Sequence, residues 1–391
     1  MRPKLLFVFA DDRFFWSHRL SVARAALRHG YEVVLATGVY TSPEHIEAEG
    51  FRLIPLKLVR KLDSPFNNIR AVRQLREIYR VEQPDIVHHV ALKAVLCGSI
   101  ARGRRTMPVL NALTGLGYLV ASSSPKAGFL RFIIWNAFKV LLNRPNQRIL
   151  VENHEDKQLV AGKIKVPPEN VIVTRGSGVD VNVFQASPEP AGVPVVLLAS
   201  RMLWIKGIKE FVEAAQLLRS KGIQARFALA GDSDPNNPSC VPRQQLLDWQ
   251  SSGAIEWWGH HQDMAAVFKQ ANLVCLPSHG GEGVPKVLME AAASGRAIVT
   301  TNVPGCRDIV RDGVSGLLIE SRNVSALAEA IEKLLRDPDQ RAKMGAEGRN
   351  IAVAEFSDEA VIKQTLDLYA ELLGAAAPVP AGTPAGVPVE K

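Results

Sequence analysis

At 391 residues the chain exceeds one ordinary core, and its 47% apolar content with a mean hydropathy of +0.03 excludes a disordered or membrane-embedded protein. No apolar run approaches the ~20 residues of a membrane span, and the four cysteines, Cys97, Cys240, Cys275 and Cys306, lack metal or redox spacing. The net charge of +8 is uneven: residues 1–190 carry 27 Lys and Arg against 16 Asp and Glu, a balance of +11, whereas 191–391 balance at −3. A basic first half implies an anionic partner there, whether phosphate, lipid surface or nucleic acid.

The chain opens on an apolar run, Leu5 to Ala10, that stops at Asp11-Asp12; it is too short for a signal-peptide core and reads as a first buried strand. A helical stretch from Ser17 to His29 leads to a strand over Tyr31 to Thr37. Further strands are expected at Asp85 to Val90, Val109 to Leu113 and Gln147 to Val151, each separated by amphipathic segments. The Gly, Pro and Ser content of residues 176–194 marks a linker. A second alternating set runs through Val195 to Ser200, Ala225 to Ala230, Asn272 to Leu276 and Ala297 to Thr301. Two facing α/β domains with parallel sheets and a cleft between them follow: 1–180, a linker at 181–194, and 195–355. A crossing helix is expected over 356–374 and a disordered tail over 375–391.

The densest chemistry lies between Pro277 and Glu290. Gly280, Gly281 and Gly283 permit a tight loop whose backbone can approach a ligand closely. Pro285 suits a helix start, and a helix from Pro285 to Ser294 would aim free N–H groups and its positive end at that loop, a seat for phosphate. Glu282 on the loop and Glu290 in the helix can face one crevice, where a carboxylate accepts two neighbouring hydroxyls of a ribose or hexose. Acidic decoration of a helix start would account for Glu282 but not for the glycine cluster. Earlier, Arg201 and Lys206 follow the strand Val195 to Ser200. There they read either as a surface pair or as a bidentate clamp and a point charge on a departing diphosphate.

These features, with Glu282 and Glu290 eight residues apart, Arg201 before Lys206-Gly207, the turn Gly231-Asp232, and Pro304-Gly305-Cys306-Arg307-Asp308-Ile309-Val310 followed by Asp312-Gly313 and Gly316, resemble glycosyltransferase family 4 in order and spacing. The resemblance extends to about Leu373. It implies a GT-B fold, a nucleotide-sugar donor as substrate with no cofactor, retention of anomeric configuration and no metal. It also implies that Arg201 and Lys206 bind the diphosphate, Glu290 the ribose and Glu282 the transferred sugar, with Gly283, Val284, Pro285, Lys286 and Val287 contacting phosphate and nucleoside. Asp232-Ser233-Asp234 has the form of the metal-binding Asp-x-Asp of the other main glycosyltransferase fold, but it stands in a Pro/Asn-rich loop and reads as a turn.

Toward the acceptor, Asp11 to Arg19 carries aromatics and His18-Arg19 where many family members have paired glycines. That variant, with Thr114-Gly115-Leu116-Gly117-Tyr118, resembles a subgroup acting on lipid-linked sugar diphosphates in polysaccharide or glycan assembly. Thr114 replaces a histidine that contacts the transferred sugar in much of the family. Its absence favours a front-face reaction in which the leaving phosphate takes the acceptor proton. His18, Arg19, His88, His89 and Thr114 are the acceptor-side candidates, a satisfied structural histidine being the competing reading for each histidine. The segment Phe129 to Leu142 has basic and polar residues on one side of a helical wheel and large apolar ones on the other. It reads as an interfacial helix or as a core-facing one. Ten basic residues, Lys57, Arg60, Lys61, Arg70, Arg73, Arg76, Arg80, Arg102, Arg104 and Arg105, tilt this toward an anionic membrane surface, at ~1 kcal/mol each.

The leading expectation is therefore a cytoplasmic, membrane-peripheral hexosyltransferase or N-acetylhexosaminyltransferase using UDP-sugar and a polyprenyl-diphosphate-linked saccharide. A nucleotide-sugar epimerase on the same fold would act without an acceptor. A nucleic-acid-binding or scaffold protein lacks any supporting basic-aromatic motif. A nicotinamide-dependent oxidoreductase lacks a Gly-x-Gly-x-x-Gly after the first strand.

Overall fold

The computed structural model describes residues 2–58, 65–116, 125–235, 237–281 and 283–374. They divide into two compact units. Unit 1 comprises the described residues through Leu116, those that follow up to Thr174, and those from Val361 onward; unit 2 is built from Arg175–Ala360.

Unit 1 runs β1 Lys4–Val8, α1 Asp12–His18, α2 Leu20–Arg28, β2 Glu32–Thr37, α3 Pro43–Ala48, β3 Arg52–Pro55, α4 Pro65–Glu82, β4 Ile86–Val90, α5 Leu92–Arg102, β5 Val109–Ala112, α6 Pro125–Leu141, β6 Gln147–Val151, α7 His154–Ile164 and β7 Val171–Val173. Its seven strands are all parallel, in the order β3-β2-β1-β4-β5-β6-β7. The central strands β4 and β5 are buried throughout because helices cover both faces of the sheet, and they carry His88, His89 and Asn111 into that interior. Leu5 and Phe7 pack with α2 on one face, while Leu6 and Val8 meet α4 and α5 on the other. The single helix expected from Ser17 is two, broken at Arg19 (φ −135°, ψ 0°).

Unit 2 runs β8 Val195–Ala199, a short 3₁₀ turn Trp204–Lys206, α8 Ile208–Ser220, β9 Arg226–Ala230, α9 Arg243–Ser251, β10 Glu256–Gly259, α10 Met264–Lys269, β11 Leu273–Leu276, α11 Lys286–Ala293, β12 Ala297–Thr301, α12 Cys306–Ile309, β13 Gly316–Ile319, α13 Val324–Arg336 and α14 Pro338–Glu355. Its six parallel strands are ordered β10-β9-β8-β11-β12-β13. A last helix, α15 Asp358–Leu373, continues into unit 1, where Tyr369 is fully buried against Tyr31 and His88. The tail expected beyond it, 375–391, lies outside the described residues.

The Gly/Pro/Ser-rich stretch 181–194 is a strap bonded to unit 2. Arg341 grips Glu189 with Nε and Nη2 (2.9 and 2.6 Å), and Arg296 donates to Ser187 O and Oγ (2.7 Å each). Arg349 donates to Val181 O, Phe184 O and Ala293 O (2.9, 2.6 and 2.7 Å). These guanidinium groups satisfy backbone carbonyls that an irregular segment would otherwise leave to water.

Candidate functional site

In unit 2 the chain builds outward from β8 through β9 to β10, then returns to build β11, β12 and β13 on the other side. The strand order thus reverses between β8 and β11, where the carboxyl ends of an open parallel sheet leave a crevice for ligands. Two loops rise there side by side, residues 200–207 after β8 and 277–285 after β11.

Hydrogen bonds join them to each other and tie the second to β12. His279 N–H donates to Ile205 O (2.9 Å), Ser278 Oγ to the same carbonyl (3.3 Å), and Thr301 Oγ1 to Ser278 O (2.6 Å). Gly207 sits at φ +76°, and a Cβ there would lie 2.1 Å from Pro277 O, so only glycine admits this approach. Arg201, on the first loop, is half exposed and bonded to Asp234 Oδ2 (3.1 Å), while Lys206 closes the 3₁₀ turn. Arg243 faces Asp232 at 3.4 Å. Both aspartates of the Asp-x-Asp triplet, in the loop after β9, are thus paired with arginines.

On the second loop, Gly280 and Gly281 adopt φ +115° and +76°. Pro285 is the residue before α11 rather than its first member, so the helix starts one residue later than its sequence pattern implies. Leu288 and Met289 N–H donate to Pro285 O (3.0 and 3.3 Å), while the N–H groups of Lys286 and Val287, ahead of them, precede any carbonyl the helix could offer and so suit an anion. Val284 faces the core, while Lys286 and Val287 in the first turn are partly exposed. Glu290 is 9% exposed, and burial pushes its carboxyl up to about 7 despite Lys286 Nζ at 3.7 Å. Glu282 lies outside the described residues, as do Arg60, Lys61, Gly117 and Tyr118.

Unit 1 treats its candidates differently. His18 ends α1, stacked on Phe14 at 4.0 Å with its Nδ1 2.6 Å from Ser17 Oγ. Arg19 turns inward, 2% exposed, with Nη1 on His18 O (3.1 Å), and burial lowers its pKa. His88 and His89 lie inside the sheet, fully buried. Tyr79 donates to His89 Nε2 (2.8 Å), whose Nδ1–H donates to Asn111 Oδ1 (2.8 Å). Asn111 then donates to Gln147 Oε1 (3.1 Å) and Gln147 to Leu141 O (3.2 Å). Both ring nitrogens of His89 are thus occupied, leaving none for a substrate, and desolvation brings its pKa down to about 4. His88 Nδ1 lies 2.6 Å from the Tyr369 hydroxyl, and burial holds this ring well below the usual histidine range. Thr114, half-buried, follows the end of β5.

One pair escaped the sequence pattern altogether. His279 Nε2 meets Glu210 Oε1 at 2.8 Å, both side chains being mostly buried, although the two residues are 69 positions apart.

Comparison with known proteins agrees with this geometry. Residues 4–153 match the model of the "Glycosyl transferase 4-like" family and 193–337 that of "Glycosyl transferases group 1", which between them take up most of the chain. A Campylobacter jejuni protein, N,N'-diacetylbacillosaminyl-diphospho-undecaprenol alpha-1,3-N-acetylgalactosaminyltransferase, is 27% identical over 82% of this chain and 86% of its own. The putative glycosyltransferase EpsD of Bacillus subtilis is 26% identical over 94% and 97%. In fold, the chain superposes on Anabaena HepE, solved with UDP and glucose, at a TM-score of 0.76 with 18% identity over 94% and 99% of the two chains. For the sucrose-phosphate synthase of Thermosynechococcus elongatus the TM-score is 0.78, with 20% identity over 96% and 100%. Two parallel-sheet units, a glycine loop braced beside a cationic loop at a strand-order reversal, and these matches place the chain in glycosyltransferase family 4, with the GT-B fold.

Proposed function

We propose that this glycosyltransferase moves a hexose or N-acetylhexosamine from a UDP-sugar to a saccharide carried on a polyprenyl diphosphate, with retention and without a metal ion. The observation that carries the reading is the bracing of the two loops through Ile205. It puts the cations Arg201 and Lys206 beside the glycine loop and the α11 N-terminus, a setting for a diphosphate. The relative from Campylobacter jejuni, named for transfer to a diphospho-undecaprenol-linked sugar, supports the acceptor class. HepE, solved with UDP and glucose, supports the donor.

In this reaction the bond between the sugar's anomeric carbon and the diphosphate oxygen breaks. The acceptor hydroxyl oxygen bonds to the same face of that carbon, and its proton passes to the departing phosphate oxygen. Arg201 and Lys206 hold the negative charge that gathers on the diphosphate, Glu290 receives the ribose hydroxyls, and Glu282 orients the transferred sugar. No base from unit 1 is needed, in keeping with Thr114 at the end of β5.

A membrane-facing surface on unit 1 accompanies this reading. Helix α6 is apolar on two sides: Ile134, Phe138 and Leu141 are buried, while Phe129, Phe132, Ile133 and Val140 are 47–69% exposed. No acidic residue occurs between Asp85 and Glu152, a span with nine Lys and Arg. No helix among the described residues is long and apolar enough to cross a bilayer. The expected behaviour is sedimentation with anionic vesicles that is lost in Phe129→Ser/Phe132→Ser; equal sedimentation of that variant removes the membrane from the proposal.

Release of UDP tests the reaction. Purified protein should release it only when UDP-sugar and lipid-linked acceptor are both present, and Lys206→Ala and Glu282→Ala should abolish release while melting as the parent does. Full activity in both variants overturns the site. Conversion of the donor to an epimer without acceptor supports the epimerase instead.

A further inference from the structure

We propose that His279 and Glu210 are a positioning pair that fixes the spacing between the cationic loop and the glycine loop, so that the transferred sugar is placed correctly over the bound diphosphate. The inference rests on the donor-site reading above.

Within the glycine loop Gly280 N–H reaches Ser278 Oγ only at 3.4 Å. Gly280 and Gly281 both sit in the left-handed region, where glycine has most freedom and loses most on ordering. What fixes the loop is its entry, residues 277–279. There Ser278 and His279 reach Ile205, and the His279 ring extends the tie to Glu210 in the first turn of α8, the helix that begins directly after Lys206-Gly207. The cationic loop and its following helix are thereby gripped from both backbone and side chain. Burial works to raise the pKa of Glu210, but the hydrogen bond from His279 and its own backbone amide hold it below the ordinary range. The carboxylate is therefore ionised at neutral pH, and His279 Nε2–H donates to it. The other oxygen, Oε2, is buried without a hydrogen-bond partner, so His279 is the side chain that satisfies this carboxylate.

Neither residue is assigned contact with the reacting atoms. Their loss acts through the glycine loop at Gly280 and Gly281, which the donor-site reading sets beside the transferred sugar, and leaves Arg201, Lys206 and Glu290 to hold UDP. A displacement of about 1 Å at a reacting centre lowers turnover roughly 100-fold.

The test is a split between turnover and UDP binding. His279→Ala/Glu210→Gln removes the tie without leaving a buried unpaired charge, so it avoids the folding defect that His279→Ala alone invites. Its kcat should fall about 10- to 100-fold, with UDP affinity by calorimetry within about 3-fold of the parent, less than 1 kcal/mol. Glu210→Gln alone keeps an acceptor for Nε2–H, and His279→Gln keeps a donor of similar reach; both should recover most of the turnover. The proposal is overturned by parental kcat in the double variant, by parallel loss of kcat and UDP affinity, or by conservative variants no better than the double one. Lys206→Ala serves as the control: if it leaves UDP affinity unchanged, the donor site itself is misplaced, whatever the His279 variants do.

Discussion

Histidine occupies opposite roles in the two units. In unit 1, His88 and His89 are mid-strand residues of β4, neutral and closed in by Tyr79, Asn111 and Tyr369. In unit 2, His279 lies three residues beyond the end of β11, on a loop at the strand-order reversal. The fold type and residue type are shared, but position along the strand differs. Inside a parallel sheet a polar side chain must find its partners within the protein and becomes part of the scaffold. Past the carboxyl end, where the crevice opens, it can brace a loop of the site instead, as His279 does through Glu210.

The contrast can be broken from either side. The largest effect on UDP binding is expected from Gly207→Ala. Its methyl would meet Pro277 O, pushing the two donor loops apart, so UDP affinity should drop at least about 30-fold, some 2 kcal/mol; unchanged UDP titration would deny that the loops form one site. Gly98→Ala is the matching lesion in unit 1, where the added Cβ would come within 2.3 Å of His89 Nε2. It should cost on the order of 2–4 kcal/mol of stability in denaturant unfolding while leaving UDP affinity intact.

Glu290→Gln sharpens the comparison through pH. Because burial raises this carboxyl to about 7, the folded state keeps a proton that the unfolded state has released above pH ~4.5. Stability conferred by the protonated form is present at low pH and lost as pH rises through about 7. The variant should therefore be more stable than the parent at pH 8, by on the order of 3 kcal/mol, with the difference fading toward pH 4.5. On the proposed role of Glu290 at the ribose, donor affinity at pH 8, where this carboxyl is ionised, should fall about 10-fold. Thermal melts across that range, paired with UDP titration, read both. The smallest effect belongs to Asp234→Asn. Releasing Arg201 from an exposed ion pair is worth at most about 1 kcal/mol, so UDP should bind no more than about 5-fold tighter by calorimetry.

What was legible in the chain follows the same physics. Strands buried on both faces, such as β1, β8 and β12, are plain as apolar runs. Edge strands β3 and β10, half-exposed and carrying Arg52 or Glu256, lack that signal, as does the three-residue β7. The break at Arg19 has no proline or glycine to announce it; it becomes visible only once the side chain is seen turned into the core. At the site, the glycines and cations of unit 2 declare themselves because backbone freedom and charge are written locally. The His279–Glu210 contact is a product of the sheet bringing β8 and β11 together, and no local pattern encodes it. Glu290 is recognisable as a carboxylate near a helix start, whereas its raised pKa depends on burial that only packing supplies.

The strap at 181–194 bears on how this protein can be taken apart. Its composition invites a protease or a gene-splitting primer, yet a cut there would strip Arg296 and Arg341, 1% and 4% exposed, of the acceptors that make their burial tolerable. A donor-half fragment that retains its structure should begin upstream of the strap, at about Arg175, and carry Glu189 with it. Fragments starting at Val195 would leave Arg296 with Phe268 O and Arg341 with Leu334 O but without Ser187 and Glu189, and should be recovered as aggregate.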